Sequence, residues 1–257
     1  MTGDAALARP TSLPELPAIL DAHDCVAIYG SVARGDARPS SDVDILVIAD
    51  RSLEQDQHGR VSVTRYEEQH LRELARSGSL FVLHLKQEAR IVKDSRGAFA
   101  RVFDAWRPPD IERTLAGMRA AAAVLDVPGE IERASERELI HAAVFVLRSV
   151  LYLRCFERGR PAFGACEVAD VLGDEDVRSF LDRVRARGDE SMQLLSPARV
   201  LLTRYLGEPL VNPCGTLEAL AVSCHRAFPL ASDLARRLAT RQGPVHYATA
   251  PASWWSP

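Results

Sequence analysis

Residues 29–48 read YGSVARGDARPSSDVDILVI, and the reading of the whole chain starts there. An apolar run, Cys25-Val26-Ala27-Ile28-Tyr29, enters the stretch and stops at Gly30-Ser31. Such a run bounded by a glycine reads as a short buried strand, and Ser31-Val32-Ala33-Arg34 then opens a short helix. A Pro39-Ser40-Ser41 turn leads into Asp42-Val43-Asp44-Ile45-Leu46-Val47-Ile48. Side chains alternate along a strand, so Asp42 and Asp44 point one way and Val43, Ile45 and Val47 the other. From Ile45 onward both faces are apolar, as in a central strand covered on both sides.

This pattern has a chemical meaning. Glycine lets backbone approach a phosphate closely, and a following helix N-terminus adds partial positive charge. Gly30 and Ser31 therefore suit a triphosphate, with the Ser31 hydroxyl as an added donor. Two carboxylates at i and i+2 on one strand face suit a hard divalent cation that takes oxygen ligands. Asp42 and Asp44 are the expected metal-binding and catalytic pair. Arg34 and Arg38 stand within reach of phosphate and equally suit solvated surface. Ser41 reads as a turn residue.

Downstream, residues 50–60 are polar and read as a loop. Val61-Ser62-Val63-Thr64-Arg65-Tyr66 alternates and reads as a third strand. Helices follow at 67–76 and 79–88, with a brief strand at Ile91-Val92. His84 and Glu88 are four apart on a helix and face the same way. They suit a base with its orienter, a metal pair, or a simple i,i+4 contact. Trp106-Arg107-Pro108-Pro109-Asp110 marks a boundary, because two prolines precede a change of pattern. The remainder reads as helices at 111–125, 132–157, 166–172, 175–187, 197–206, 215–226 and 230–241. The expected organisation is an N-terminal domain at 1–108, a helical domain at 109–245 and a tail at 246–257.

Composition bounds the partners. The chain has 257 residues, 47% hydrophobic and 26% charged, with a net charge of -3. No global basic field is present, so duplex DNA is not an expected partner. Only Lys86 and Lys93 are lysines; the other basic residues are arginine, which favours bidentate phosphate contacts. The five cysteines form no C-x-x-C pair and read as structural or incidental. No signal-like N-terminus or uninterrupted apolar run of about 18 residues is found. A cytoplasmic protein without a membrane partner is expected.

Gly30-Ser31, Gly35 and Ser41-Asp42-Val43-Asp44 together resemble the signature of the DNA polymerase β-like nucleotidyltransferase superfamily, most of all its minimal and aminoglycoside-type members. The signature covers about 20 residues. A weaker likeness extends to about residue 100 through Leu80-Phe81, His84-Leu85, Glu88 and Asp94. The resemblance implies an α+β nucleotidyltransferase domain, a short mixed sheet with helices, followed by an all-α helical-bundle domain. It implies transfer of NMP from an NTP, with ATP the expected nucleotide, to a hydroxyl of a small molecule, a protein or an RNA end. Mg²⁺ or Mn²⁺ would be bound by Asp42 and Asp44, and the triphosphate by Gly30 and Ser31. The superfamily places a third carboxylate on the next strand as the base. Here that face carries Ser62, Thr64 and Tyr66. Asp56, Glu67, Glu68 and Glu88 are the candidates to supply it. Should none do so, a catalytically impaired protein is implied, one that binds nucleotide or a partner in a toxin–antitoxin or defence role.

Overall fold

The computed structural model describes residues 16–38, 41–50, 55–126, 136–187 and 192–242. The expected tail at 246–257 lies outside the described residues. By its contacts the chain divides into two compact units, 1–107 and 108–257.

The first unit is built on five strands: β1 (Cys25–Tyr29), β2 (Val43–Ala49), β3 (Gln55–His58), β4 (Val61–Glu67) and β5 (Arg90–Asp94). Their order is β3-β4-β2-β1-β5. β2 and β4 are parallel, and the other neighbours are antiparallel. The sheet is therefore mixed, as expected. Residues 55–58 correct the loop reading of 50–60: Gln-Asp-Gln-His carries no apolar alternation, because β3 is an edge strand held by backbone bonds to β4 alone. A helix at Ala98–Ala105 also went unassigned in the sequence. It starts after Gly97, where the Asp94 carboxylate accepts the Ala98 N–H at 2.8 Å and so satisfies one of the donors that a helix start leaves without an intrahelical partner.

β2 is the central strand, and Ile45, Leu46 and Val47 are fully buried. Directly paired residues share a sheet face, so the register separates two surfaces. One carries Ile28, Ile45 and Val63, with Val26, Val47, Val43 and Val61 alongside. Ile19 and Leu20 of α1 (Leu16–Ala22) and Val32 and Ala33 of α2 (Gly30–Arg34) pack onto it. The other carries Tyr29, Asp44 and Ser62 in one row and Leu46 and Thr64 in the next. α3 (Glu68–Arg76) and α4 (Leu80–Glu88) cover this second face. His70 stacks on Tyr66, and the Phe81 ring contacts both Tyr29 and Tyr66. The helix Ala98–Ala105, α5, packs against α3 and α4.

The second unit is helical in its described residues: α6 (Ile111–Ala122), α7 (Glu136–Glu157), α8 (Ala165–Leu172), α9 (Glu175–Arg187), α10 (Leu195–Leu206), α11 (Leu217–Cys224) and α12 (Pro229–Thr240). Asp110 caps α6 by accepting the Arg113 N–H at 3.0 Å, and Thr216 caps α11 in the same way. α7 is long and apolar enough to cross a membrane by length and composition. Its Leu139, Ala143, Val146, Leu147, Val150 and Leu151 are nonetheless buried, with α6, α8 and α10 packed around it. It is the core helix of this unit. The five cysteines are all free thiols.

Truncation at the centre of β2 tests the register. Ile45→Ala should cost about 2–5 kcal/mol in urea denaturation. Val222→Ala, at an exposed position of α11, should change stability by no more than about 0.5 kcal/mol.

Candidate active site

Gly30 is the hinge of the site. It follows Tyr29, which pairs with Asp44 across β1 and β2. Its φ is +72°, and a Cβ placed there would lie 2.7 Å from Asp44 Oδ2. Two independent constraints thus exclude a side chain: the backbone is left-handed, and the space is filled by a carboxylate. α2 begins at Gly30 and ends at Gly35, which caps it at φ 86°. The Ser31 carbonyl accepts the N–H groups of Gly35 at 3.0 Å and Asp36 at 3.1 Å, closing the helix after a single turn. Gly30, Ser31 and Gly35 therefore define one compact strand–turn–helix element. The first N–H groups of a helix lack intrahelical partners, and Gly30 and Ser31 contribute those of α2.

Asp42 is exposed and immediately precedes β2, and Asp44 is half-buried within it. Burial pushes the Asp44 carboxyl up to about 6, the charge of Asp42 adds to the rise, and Arg34 opposes it. The two carboxylates thus repel each other, an arrangement a divalent cation would relieve. Arg38 and Ser41 close the loop ahead of Asp42. The Arg38 N–H donates to Ser41 Oγ at 2.9 Å, and the Ser41 N–H returns a bond to the Arg38 carbonyl at 2.9 Å. Arg60 donates to the Ser41 carbonyl, and the Val43 N–H donates to the Arg60 carbonyl at 2.8 Å. The turn role expected of Ser41 fits these bonds.

The candidates for a third carboxylate are each placed. Asp56 pairs with Val63, so it lies on the sheet face opposite Asp44, where Arg65 donates to it. Glu67 pairs with Ala49, also on that opposite face and five residues along β2 from Asp44, roughly 16 Å at strand rise. Glu68 opens α3 and is gripped through both oxygens by Arg101, at 2.8 Å each. Glu88 accepts from Arg34 Nη1 at 2.8 Å and lies 2.9 Å from His84 Nε2. Ser62 occupies the position directly beside Asp44 on β4. Among the described residues, no cluster of three or more His, Cys, Asp or Glu side chains forms a metal site. The donor set that fits a divalent cation is the pair Asp42 and Asp44, hard oxygens next to a glycine too tightly packed to carry a side chain.

Arg34, His84 and Glu88 come together through α2 and α4. Arg34 Nη1 lies 3.4 Å from His84 Nε2, and Arg34 Nε lies 3.3 Å from Asp36 Oδ1. Burial works to raise the Glu88 carboxyl, but His84 and Arg34 outweigh it and hold Glu88 below the usual carboxylate range. The His84–Glu88 spacing was legible in the sequence. Their contact with Arg34, 50 or more residues away, was not. Tyr29, beside Asp44, has its hydroxyl raised by burial and by the Asp44 charge, with the Thr64 hydroxyl working the other way. Tyr66 is fully buried, and its hydroxyl has no hydrogen-bond partner among the described residues.

Residues 21–119 match the sequence model of the nucleotidyltransferase domain family. This part of the chain is a nucleotidyltransferase domain. The match spans the whole sheet and the Gly30–Asp44 element, and a mostly helical region follows it. Among solved structures, a nucleotidyltransferase-like protein from Exiguobacterium sibiricum 255-15 is 19% identical, with a TM-score of 0.30. The similarity covers 72% of this chain and 68% of that one. No curated protein matches the chain.

Two predictions follow from the geometry of the nucleotidyltransferase domain. Gly30→Ala should destabilise the protein by about 1–2 kcal/mol from the left-handed backbone alone, and more because the new Cβ displaces Asp44. Thermal denaturation of Gly30→Ala and of Gly30→Ala/Asp44→Ala separates the two parts, since the double variant should recover the steric share. The second concerns pH. The Asp44 pKa is raised on folding, so the folded protein binds that proton more tightly than the unfolded chain. Its stability contribution is full below about pH 4 and is lost as pH rises through about 6. Asp44→Asn should match wild type in metal-free buffer at pH 4 and exceed it at pH 7 by on the order of 3 kcal/mol.

Proposed function

We propose that the protein transfers a nucleoside monophosphate from an NTP, with ATP the expected nucleotide, to a hydroxyl acceptor. The acceptor classes that suit this chemistry are a small molecule, a protein side chain and an RNA end. The observation that carries the reading is the contact between Gly30 and Asp44: the turn suited to phosphate and the carboxylates suited to metal are packed into one element. In this reading Gly30 and Ser31 hold the triphosphate, and Asp42 and Asp44 hold Mg²⁺ or Mn²⁺. Held by Asp42 and Asp44, such an ion would supply Lewis-acid stabilisation of the charge that develops in phosphoryl transfer. The acceptor oxygen forms a bond to the α-phosphorus as the α–β anhydride bond breaks, and pyrophosphate leaves. The acceptor proton then needs a base.

That last requirement supports a second reading. Each of the four acids considered for the third position is either on the wrong face or engaged elsewhere. A protein that binds NTP through Asp42 and Asp44 but turns it over slowly or not at all, acting through a bound partner, fits this arrangement.

Transfer of label from α-labelled ATP, with Mg²⁺ or Mn²⁺ and a panel of acceptors, tests the first reading. Asp42→Asn and Asp44→Asn should each lower transfer by more than about 100-fold. Unchanged transfer in these variants would remove both aspartates from the mechanism. Calorimetric ATP–Mg²⁺ binding without transfer to any acceptor would favour the second reading. Ser62→Asp is informative in either case. It places a carboxylate beside Asp44 in register, and should lower metal-free stability while raising either turnover or cation affinity by about ten-fold.

A further inference from the structure

Arg34 is held from two sides. Its Nη1 donates to Glu88 Oε2 at 2.8 Å, and its Nε lies 3.3 Å from Asp36 Oδ1. The same Glu88 oxygen is 2.9 Å from His84 Nε2, which itself lies 3.4 Å from Arg34 Nη1. The Arg34, His84 and Glu88 side chains are each less than one-fifth exposed, so water screens this pair far less than a surface ion pair. Arg34 thus reaches α4, the helix that covers the sheet face carrying Asp44. The His84 ring that it meets lies 6.2 Å, centroid to centroid, from the ring of Tyr29, and Tyr29 pairs with Asp44.

An arginine in that position has a choice of carboxylates. Paired fully with Asp44, it would neutralise the group expected to bind a cation and would set a positive charge beside it. We infer that Glu88, oriented by His84, is a positioning residue that holds the Arg34 guanidinium on the α4 side and so keeps Asp44 open to a divalent cation. This rests on the reading of Asp42 and Asp44 as metal ligands and adds to it a residue that acts without touching the ion. Glu88 does not replace the missing third ligand. It spends its charge on Arg34, and its removal would release a shielded cation next to Asp44, where like charge opposes metal binding.

The test uses Mn²⁺ alone, without nucleotide, so that contacts of Arg34 with phosphate do not enter. Free Mn²⁺ is followed by electron paramagnetic resonance during titration of the full chain, with circular dichroism to check folding. Glu88→Gln should weaken Mn²⁺ binding about ten-fold, and Arg34→Gln/Glu88→Gln should return it to within about two-fold of wild type. Arg34→Gln alone should bind at least as tightly as wild type, and Glu88→Asp, which keeps the charge, should stay within about three-fold. A double variant as weak as Glu88→Gln would overturn the inference, because Glu88 would then act on the ion directly. Unchanged affinity in Glu88→Gln, or weakened affinity in Arg34→Gln, would overturn it as well. If Asp42→Asn/Asp44→Asn binds Mn²⁺ like wild type, or wild type binds none, the metal reading fails first and the inference falls with it.

Discussion

The close approach of Gly30 to Asp44 is the constraint on which the rest of the N-terminal unit depends. β1 must end where β2 begins, Tyr29 must pair with Asp44, and the chain must leave β1 in a left-handed conformation to start α2. Those three conditions bring two turns, one helix start and a carboxylate into a single small volume. The apolar face behind them, from Val26 to Val63, is closed by α1 and α2. Packing on that side fixes the height of α2 and, with it, the distance between backbone and carboxylate.

Charge is distributed around this element in an uneven way. Asp42 and Asp44 repel each other, and Asp44 is strained further by burial. The nearby cation, Arg34, is shared with Glu88 and Asp36 and does not settle on Asp44. A folded protein keeps such an unfavourable arrangement only where the surrounding structure enforces it. Here β2 enforces it, because Ile45, Leu46 and Val47 anchor the strand on both faces. The strand therefore holds the two carboxylates in place despite their repulsion, and the position beside Asp44 on β4 carries the small hydroxyl of Ser62.

Much of this was legible in the sequence, for physical reasons that differ by element. β2 declared itself because a central strand must be apolar on both faces, and its two aspartates then stood out. β4 was legible by alternation, and the helices of the second unit by their long apolar stripes and their Gly and Pro boundaries. β3 was not, because an edge strand such as Gln55–His58 needs no apolar pattern. α5 is short and follows a tight turn, so its three buried residues did not form a readable stripe. At the site, Gly30, Ser31, Asp42 and Asp44 could be chosen from local spacing alone. The faces of Asp56 and Glu67 required the register of β3 and β4, and the link from Arg34 to Glu88 required two helices distant in sequence.

The most direct measurement is a crystal structure of the protein with Mn²⁺ and a non-hydrolysable ATP analogue. The account predicts an anomalous manganese peak bound by both Asp42 and Asp44, with the triphosphate against the backbone of Gly30 and Ser31. A nucleotide seated elsewhere, or a triphosphate at Gly30 with no metal on the two aspartates, would contradict it.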